Sequence, residues 1–340
     1  MGLSAENSFP SFNLPPSLKS RDCDIAAIGN AKLEMVVQVP NWPEPGGQHD
    51  VSMSRPVYSA GGCATNVACL AARFGARTRL IARMGDGIYS RQVQTELERS
   101  SVDPVWTVPV SKSEGNLLII TTDPSGDWMV LSYMDPALEL RLEDIPPESD
   151  FQSTKILHID GFSLVTPQQK QAIETAVEKA HNSGCLVSID AAVPVSQAQP
   201  EYLAQLFSRC DFVFVNQAEA MAVTRAASIE KAVQALQGLG PQLCCLKMGK
   251  EGAWVITPDQ TARIPAFPVQ VVDTLAAGDS FIAALLTALC RGYTLFEAAR
   301  WGSAAGALAC TGPGSLSKWF SINELLILLN TEQPSEEDRG

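Results

Sequence analysis

The sequence predicts an α/β protein: a doubly wound, mostly parallel β-sheet with flanking helices, plus a small separate β element. Two observations carry this expectation. Between about residues 150 and 260, short β-rich runs alternate with helical stretches, the pattern of a parallel sheet covered by helices. Residues 33–58 and 116–134 are also β-rich but fall outside that alternation.

Taken in order, residues 1–20 carry Pro10, Pro15 and Pro16 among Ser and Asn, lack the apolar core of a secretion signal, and read as a mobile tail. The folded domain is expected over 21–330, and the polar, acidic residues 331–340 as a second tail. Within 33–58, Met35, Val36 and Val37 are followed by the turn-rich 43–47 and then by the alternating Val51, Met53 and Val57. Residues 117–122 and 128–134 read as a hairpin across the polar 123–127. Such strands are marginal alone, so they must pair with something. The clearest α/β unit is a strand over 155–160, then a helix opened by Thr166 and Pro167 and closed by Gly184, with Ala172, Ile173, Ala176, Val177 and Ala180 on one face. Strands over 185–190, 211–216 and 243–247 continue the series, with a helix around 229–239.

Composition narrows the function. Among 340 residues, 46% are hydrophobic and 18% charged, as in a globular protein, and the net charge of −12 argues against nucleic acid or an anionic membrane as partner. No stretch approaches the roughly 18 apolar residues of a membrane helix. Nine cysteines without a CxxC pair, mostly within apolar runs, suggest reduced thiols and a cytoplasmic location. His49, His158 and His181 show no zinc-ligand spacing.

The chemistry concentrates at strand ends and at one turn. Asp160, Asp190, Asn216 and Asp273 each follow a strand, where ligands of open α/β sheets bind, though each also suits the N-cap of the next helix. Asn216 and Glu219 have the spacing of a capping box as well. Residues 272–281 form a small-residue turn running into an apolar helix, so the amides of Ala276, Ala277 and Gly278 would converge on an anion at its N-terminus. Asp279 beside them reads either as a base or as an N-cap. There is no Gly-x-x-x-x-Gly-Lys-Ser/Thr string and no protein-kinase set.

Asp273, Thr274, Ala276, Ala277, Gly278, Asp279 and Phe281, together with the earlier Gly61, Gly62, Cys63, Ala64, Thr65, Asn66 and Gly75, form two signatures in order. By them the chain resembles the ribokinase-like sugar kinases, the phosphofructokinase-B family, over about residues 24–320. The resemblance implies a ribokinase-like fold whose outlying strands form a small β-sheet lid over the sugar, and in some members a homodimer contact. It implies Asp279 as general base beside an anion hole from residues 276–278. Asn216 and Glu219 would organise Mg²⁺ through waters. Lys247, Gly249 and Gly252 would contact ATP, although a plain hairpin turn is the other reading there, and Gly312 and Gly314 would complete the adenine side. Carbonyls of Asp273 and Leu275 are implied as contributors to a K⁺ site.

Sugar contacts are expected from Glu34, Lys32, Gly61, Gly62, Asn66 and Asp160. Glu34 stands where relatives have Asp, Lys32 where ribokinases have Asn, and Cys63 where they have Lys. Lys32 reads either as a cation facing an anionic sugar or as a surface lysine on an edge strand. The expected activity is ATP-dependent phosphorylation of a primary hydroxyl of a sugar or sugar-like small molecule. A nucleoside kinase, and a non-catalytic member of the family, are the alternatives.

Overall fold

A computed structural model describes residues 12–42, 46, 51–124, 128–318 and 320–331. Its core is a nine-stranded sheet of β1 (Cys23–Ile28), β4 (Thr78–Gly85), β5 (Thr107–Val110), β8 (Thr154–Asp160), β9 (Leu186–Asp190), β10 (Phe212–Asn216), β11 (Leu243–Lys247), β12 (Ala253–Ile256) and β13 (Thr261–Ile264), ordered β13-β12-β11-β10-β9-β8-β1-β4-β5. Pairing is parallel from β5 across to β11, and antiparallel for β11 with β12 and β12 with β13. The central strands are almost wholly apolar because helices cover both faces. In β1, Ile25 and Ala27 enter one core while Ala26 and Ile28 enter the other. The helix Pro167–Asn182 buries the five residues expected of it, and Thr166 Oγ1 accepts from the Gln169 amide at 3.4 Å.

The second sheet has the order β3-β2-β6-β7, from β2 (Lys32–Gln38), β3 (Val57–Gly61), β6 (Asn116–Thr122) and β7 (Trp128–Tyr133). The expected hairpin is β6 with β7, and β2 pairs with β3 on one side and β6 on the other. Val51 and Met53 are not in a strand; among the described residues 51–54 only Ser54 bonds β2, its amide donating to Gln38 O at 2.7 Å and its Oγ accepting from the Gln38 amide at 2.9 Å. Of the turns expected at 43–47 and 123–127, residues 43–45, 47 and 125–127 lie outside the described residues, as does His49.

The expected N-terminal tail is corrected over 12–20. Phe12, Leu14 and Leu18 are buried in the main core, Phe12 lies edge-on to Phe212 at 5.4 Å, and Pro16 opens a one-turn helix, Pro16–Lys19. Three apolar side chains outweigh the prolines that suggested disorder. The rest of that tail, 1–11, and residues 332–340 lie outside the described residues. All nine cysteines are free thiols.

Chain order places the site. From β1 the chain moves to β4 and β5 on one side, then returns to β8 and everything after it on the other. The sheet therefore changes direction between β1 and β8, and a crevice opens at their carboxyl ends. Asn30 follows β1 there and Asp160 ends β8.

Candidate active site

Helix Ala277–Cys290 starts at this crevice, its first turn meeting Asn66 and Lys247 and the rest buried against the helices Leu295–Ala309 and Cys63–Arg73. Its N-cap is Ala276, in the left-handed conformation at φ 53°. Asp279 is thus the third helical residue and not the cap, which removes the capping alternative. Its carboxylate is buried, and Oδ2 accepts from Asn66 Nδ2 at 2.7 Å. Burial, helped by the charges of Asp190 and Asp160 and opposed by the Asn66 bond and Lys247, raises the Asp279 acid to about 7. Among the described residues the amides of Ala276 and Gly278 find no backbone acceptor, and that of Ala277 reaches only Thr274 O, at 3.3 Å. A carboxylate able to switch protonation near neutrality thus stands beside amides at the positive end of a helix.

Lys247, at the end of β11, approaches the same point. Its Nζ lies 3.2 Å from where a Cβ on Gly278 would be, and bonds Asp190 Oδ1 at 2.7 Å. Burial alone would lower this ammonium; Asp190 and Glu219 outweigh it and raise it to about 12. Asn216 and Glu219 form the reciprocal capping box: the Asn216 amide donates to Glu219 Oε2 at 2.7 Å, and the Glu219 amide to Asn216 Oδ1 at 2.9 Å. Burial and the charge of Asp190 raise the Glu219 acid to about 7. Glu219 Oε1 takes no hydrogen bond among the described residues, so the cap leaves one oxygen for a ligand. Asp190, Glu219 and Asp279 outnumber Lys247 here, an excess of buried negative charge that suits a divalent cation. Among the described residues no three His, Cys, Asp or Glu side chains are grouped as a metal cage.

Among the residues expected on the acceptor side, Glu34 Oε1 accepts from the Gly62 amide at 3.3 Å and Oε2 from Ser315 Oγ. Burial raises the Glu34 acid. Gly61 is required here because a Cβ on it would fall 2.1 Å from the Glu34 carboxyl, and Gly62, at φ 88°, because a Cβ would meet Asn30 O at 2.3 Å. Asp160 is buried and accepts from the Phe162 amide at 2.9 Å; burial raises its acid, with Lys32 acting against that. Lys32 is itself buried, its ammonium 5.4 Å from the centre of the Phe162 ring. The edge-strand reading of Lys32 is overturned, since β2 is paired on both sides. Cys63 opens its helix as a neutral thiol, raised well above its ordinary value by burial and by Asp279, Asp160 and Asp190.

The remaining expected positions are less central. Gly249 and Gly252 lie in the turn between β11 and β12, closed by Met248 N to Gly252 O at 2.8 Å, and a Cβ on Gly252 would fall 1.9 Å from Ile264 O. Packing therefore accounts for Gly252, while Gly249 faces open space. Asp273 Oδ1 accepts from Leu275 N at 2.8 Å and Oδ2 from Gly314 N at 2.9 Å, tying the signature turn to the Gly312 loop. Two contributors escaped the sequence reading. Ser315 left no sign but its place after Gly312-Pro313-Gly314, and Asn30, which donates to Ser163 Oγ at 3.2 Å, only its place after β1.

A sequence model of the "pfkB family carbohydrate kinase" matches residues 24–319. Among curated relatives, Fructokinase-2 of Oryza sativa subsp. japonica is 26% identical over 274 residues, 76% of this chain and 82% of its own length. A Nucleoside kinase of Methanothermobacter thermautotrophicus is 25% identical over 296 residues, 87% of this chain and 92% of its own. Among solved structures, Ribokinase of Thermotoga maritima covers 90% of this chain and 99% of its own at TM-score 0.75 and 23% identity. An E. coli protein assigned as Ribokinase II, solved with ATP and Mg²⁺, covers 90% and 99% at TM-score 0.79 and 20% identity.

Proposed function

The chain belongs to the pfkB family of carbohydrate kinases, phosphotransferases with an alcohol acceptor, and from that premise we propose that it transfers the γ-phosphoryl group of ATP to a primary hydroxyl of a sugar or sugar-like molecule, with Asp279 as general base. The observation that carries this is the buried Asp279 carboxylate beside the unengaged amides of Ala276 and Gly278. The acceptor hydroxyl gives its proton to Asp279 as its oxygen bonds the γ-phosphorus, and the bond from that phosphorus to the β–γ bridging oxygen breaks to release ADP. Charge on the migrating group is met by the amides of residues 276–278 and by the Lys247 ammonium. Mg²⁺, when bound with ATP, neutralises phosphate charge, and Glu219 with Asn216 would hold its waters.

ATP and Mg²⁺ are supported by the chemistry of this donor set and by the ATP–Mg²⁺ complex of the E. coli neighbour. Lys247, Gly249, Gly312 and Gly314 are the proposed nucleotide contacts, and carbonyls of Asp273 and Leu275 the proposed K⁺ ligands, tested by the K⁺ dependence of turnover. Glu34, Lys32, Gly61, Gly62, Asn66 and Asp160 are the proposed acceptor side. A nucleoside acceptor is supported by the Methanothermobacter relative. The pocket of about 560 Å³ between the lid and residues 271–275 is lined by aliphatic side chains, including Val36, Ile120 and Val272, and by polar ones, including Gln38, Thr122 and Thr274, while the exposed Phe162 ring beside Lys32 gives the proposed acceptor side one aromatic surface. The outer face of the lid exposes Tyr58, Met129, Leu131 and Tyr133, which supports a homodimer through it. Free thiols fit a cytoplasmic location, and no described helix is long and apolar enough to cross a membrane.

ADP release from Mg·ATP across pentoses, ketohexoses, sugar acids, sugar phosphates and nucleosides tests the proposal. Asp279→Asn should lower turnover at least about a hundredfold while ATP binding persists. Unchanged turnover removes Asp279 from its role.

A further inference from the structure

Three buried polar groups in the acceptor crevice are not satisfied by the protein. Asp160 Oδ2 and Asn66 Oδ1 have no hydrogen-bond partner. Lys32 is 8% exposed, and among the described residues its ammonium makes no hydrogen bond or ion pair, only the contact with the Phe162 ring. Buried polar groups are nearly always hydrogen-bonded, so each of these is an opening for a ligand. They share one crevice: Asn66 holds Asp279, Gly29 packs between Asp160 and Ala64 at the start of the Asn66 helix, and the Lys32 charge bears on Asp160, Glu34 and Cys63.

Building on the kinase reading, we propose that Lys32 is a specificity-determining residue that, with Asp160 and Asn66, selects a neutral polyhydroxyl acceptor and rejects acceptors carrying a carboxylate or phosphate. The argument is an inventory of donors and acceptors. Asn66 Oδ1, and Asp160 Oδ2 in the ionised carboxylate, can only accept, and the Lys32 ammonium can only donate. A hydroxyl does both, so neighbouring hydroxyls can lie between the two kinds of group and satisfy each. An anionic group only accepts; it could reach Lys32 but would leave Asp160 and Asn66 unpaired and stand among the carboxylates of Asp160, Glu34 and Asp279. An ammonium group has the opposite fault, leaving Lys32 unsatisfied. Lys32 is fixed for this task because β2 is paired on both sides and its stem packs at 3.5 Å from where a Cβ on Gly62 would be. Its charge thus serves as a strong hydrogen-bond donor and not as a counter-ion.

The test compares wild type with Lys32→Met and Lys32→Gln on neutral sugars and polyols, their deoxy analogues, and the corresponding acids and phosphates. Turnover is read by ADP release, and acceptor binding by calorimetry in an Asp279→Asn background. We expect a neutral acceptor to be preferred, with KM raised about 10- to 100-fold in Lys32→Met, less in Lys32→Gln, and affinity for Mg·ATP unchanged. With wild type, at least one deoxy analogue should lose a similar factor, which needs no variant to fold. Unchanged KM in a folded Lys32→Met, or a sugar acid or phosphate as best acceptor, overturns the proposal. If nothing is phosphorylated but a neutral polyol binds in a Lys32-dependent way, the kinase reading fails and the specificity assignment stands; if no polyol binds, the assignment falls.

Discussion

At Asp279 burial and hydrogen bonding pull in opposite directions, and the balance leaves an acid that titrates near 7. A general base works only when ionised, so kcat/KM should rise with pH and level off above about 7 in the free enzyme. Asn66 stabilises the charged form, so Asn66→Ala should move that limb to higher pH, separately from any loss of acceptor affinity; an unmoved limb would assign the ionisation to another group. The sequence showed Asp279 clearly, as the carboxylate that follows Ala276, Ala277 and Gly278 at the start of an apolar helix. It did not show Asn66 as the partner, because hydrogen bonding across 213 positions has no local signature. Lys32 was legible only as a departure from relatives, and its meaning depended on whether β2 was an edge, which pairing alone decides.

Among the elements, the turn after β10 illustrates two roles in one pair of residues. Asn216 and Glu219 cap the helix Gln217–Thr224, as their spacing allowed, yet Glu219 retains one free oxygen in an acidic cluster. Glu219→Gln separates the roles, since an amide oxygen still accepts the Asn216 N–H but carries no charge. Melting temperature should stay within about 2 °C, as a cap worth about 1 kcal/mol is kept, while the Mg²⁺ concentration for half-maximal rate rises severalfold. A purely structural Glu219 would leave the Mg²⁺ requirement alone. Strands β8 to β11 were legible as short, nearly unbroken apolar runs, because both faces are buried. The antiparallel β12 and β13 escaped, being four residues each with β13 half polar at the sheet edge. The Val51 and Met53 alternation misled for the converse reason: period two is necessary for a strand but supplies no neighbour to pair with.

For the whole molecule, the lid and the sheet domain face each other across the 560 Å³ pocket, where exposed Val271 and Val272 lie opposite Val36, Ile120 and Val130. Closure would bury this surface, so acceptor binding should slow hydrogen exchange in residues 32–38 and 116–122; protection equal with and without acceptor argues for a fixed lid. The lid's other face gives a separate expectation. Leu131→Glu should convert a dimer seen by light scattering to monomer, and a wild type that is already monomeric at micromolar concentration refutes that interface. The sheet order has one more consequence, for synthesis. The acceptor-side residues 30–66 emerge from the ribosome before β8, the strand that must flank β1, and long before the helix that carries Asp279. Three of the nine strands of the main sheet, β1, β4 and β5, are therefore made before β8, the second partner of β1, exists, a state prone to association with other chains. The contact between residue 279 and Asn66 forms late in translation, and a chain truncated before that helix would lose its proposed base and a buried face packed against the helix Cys63–Arg73.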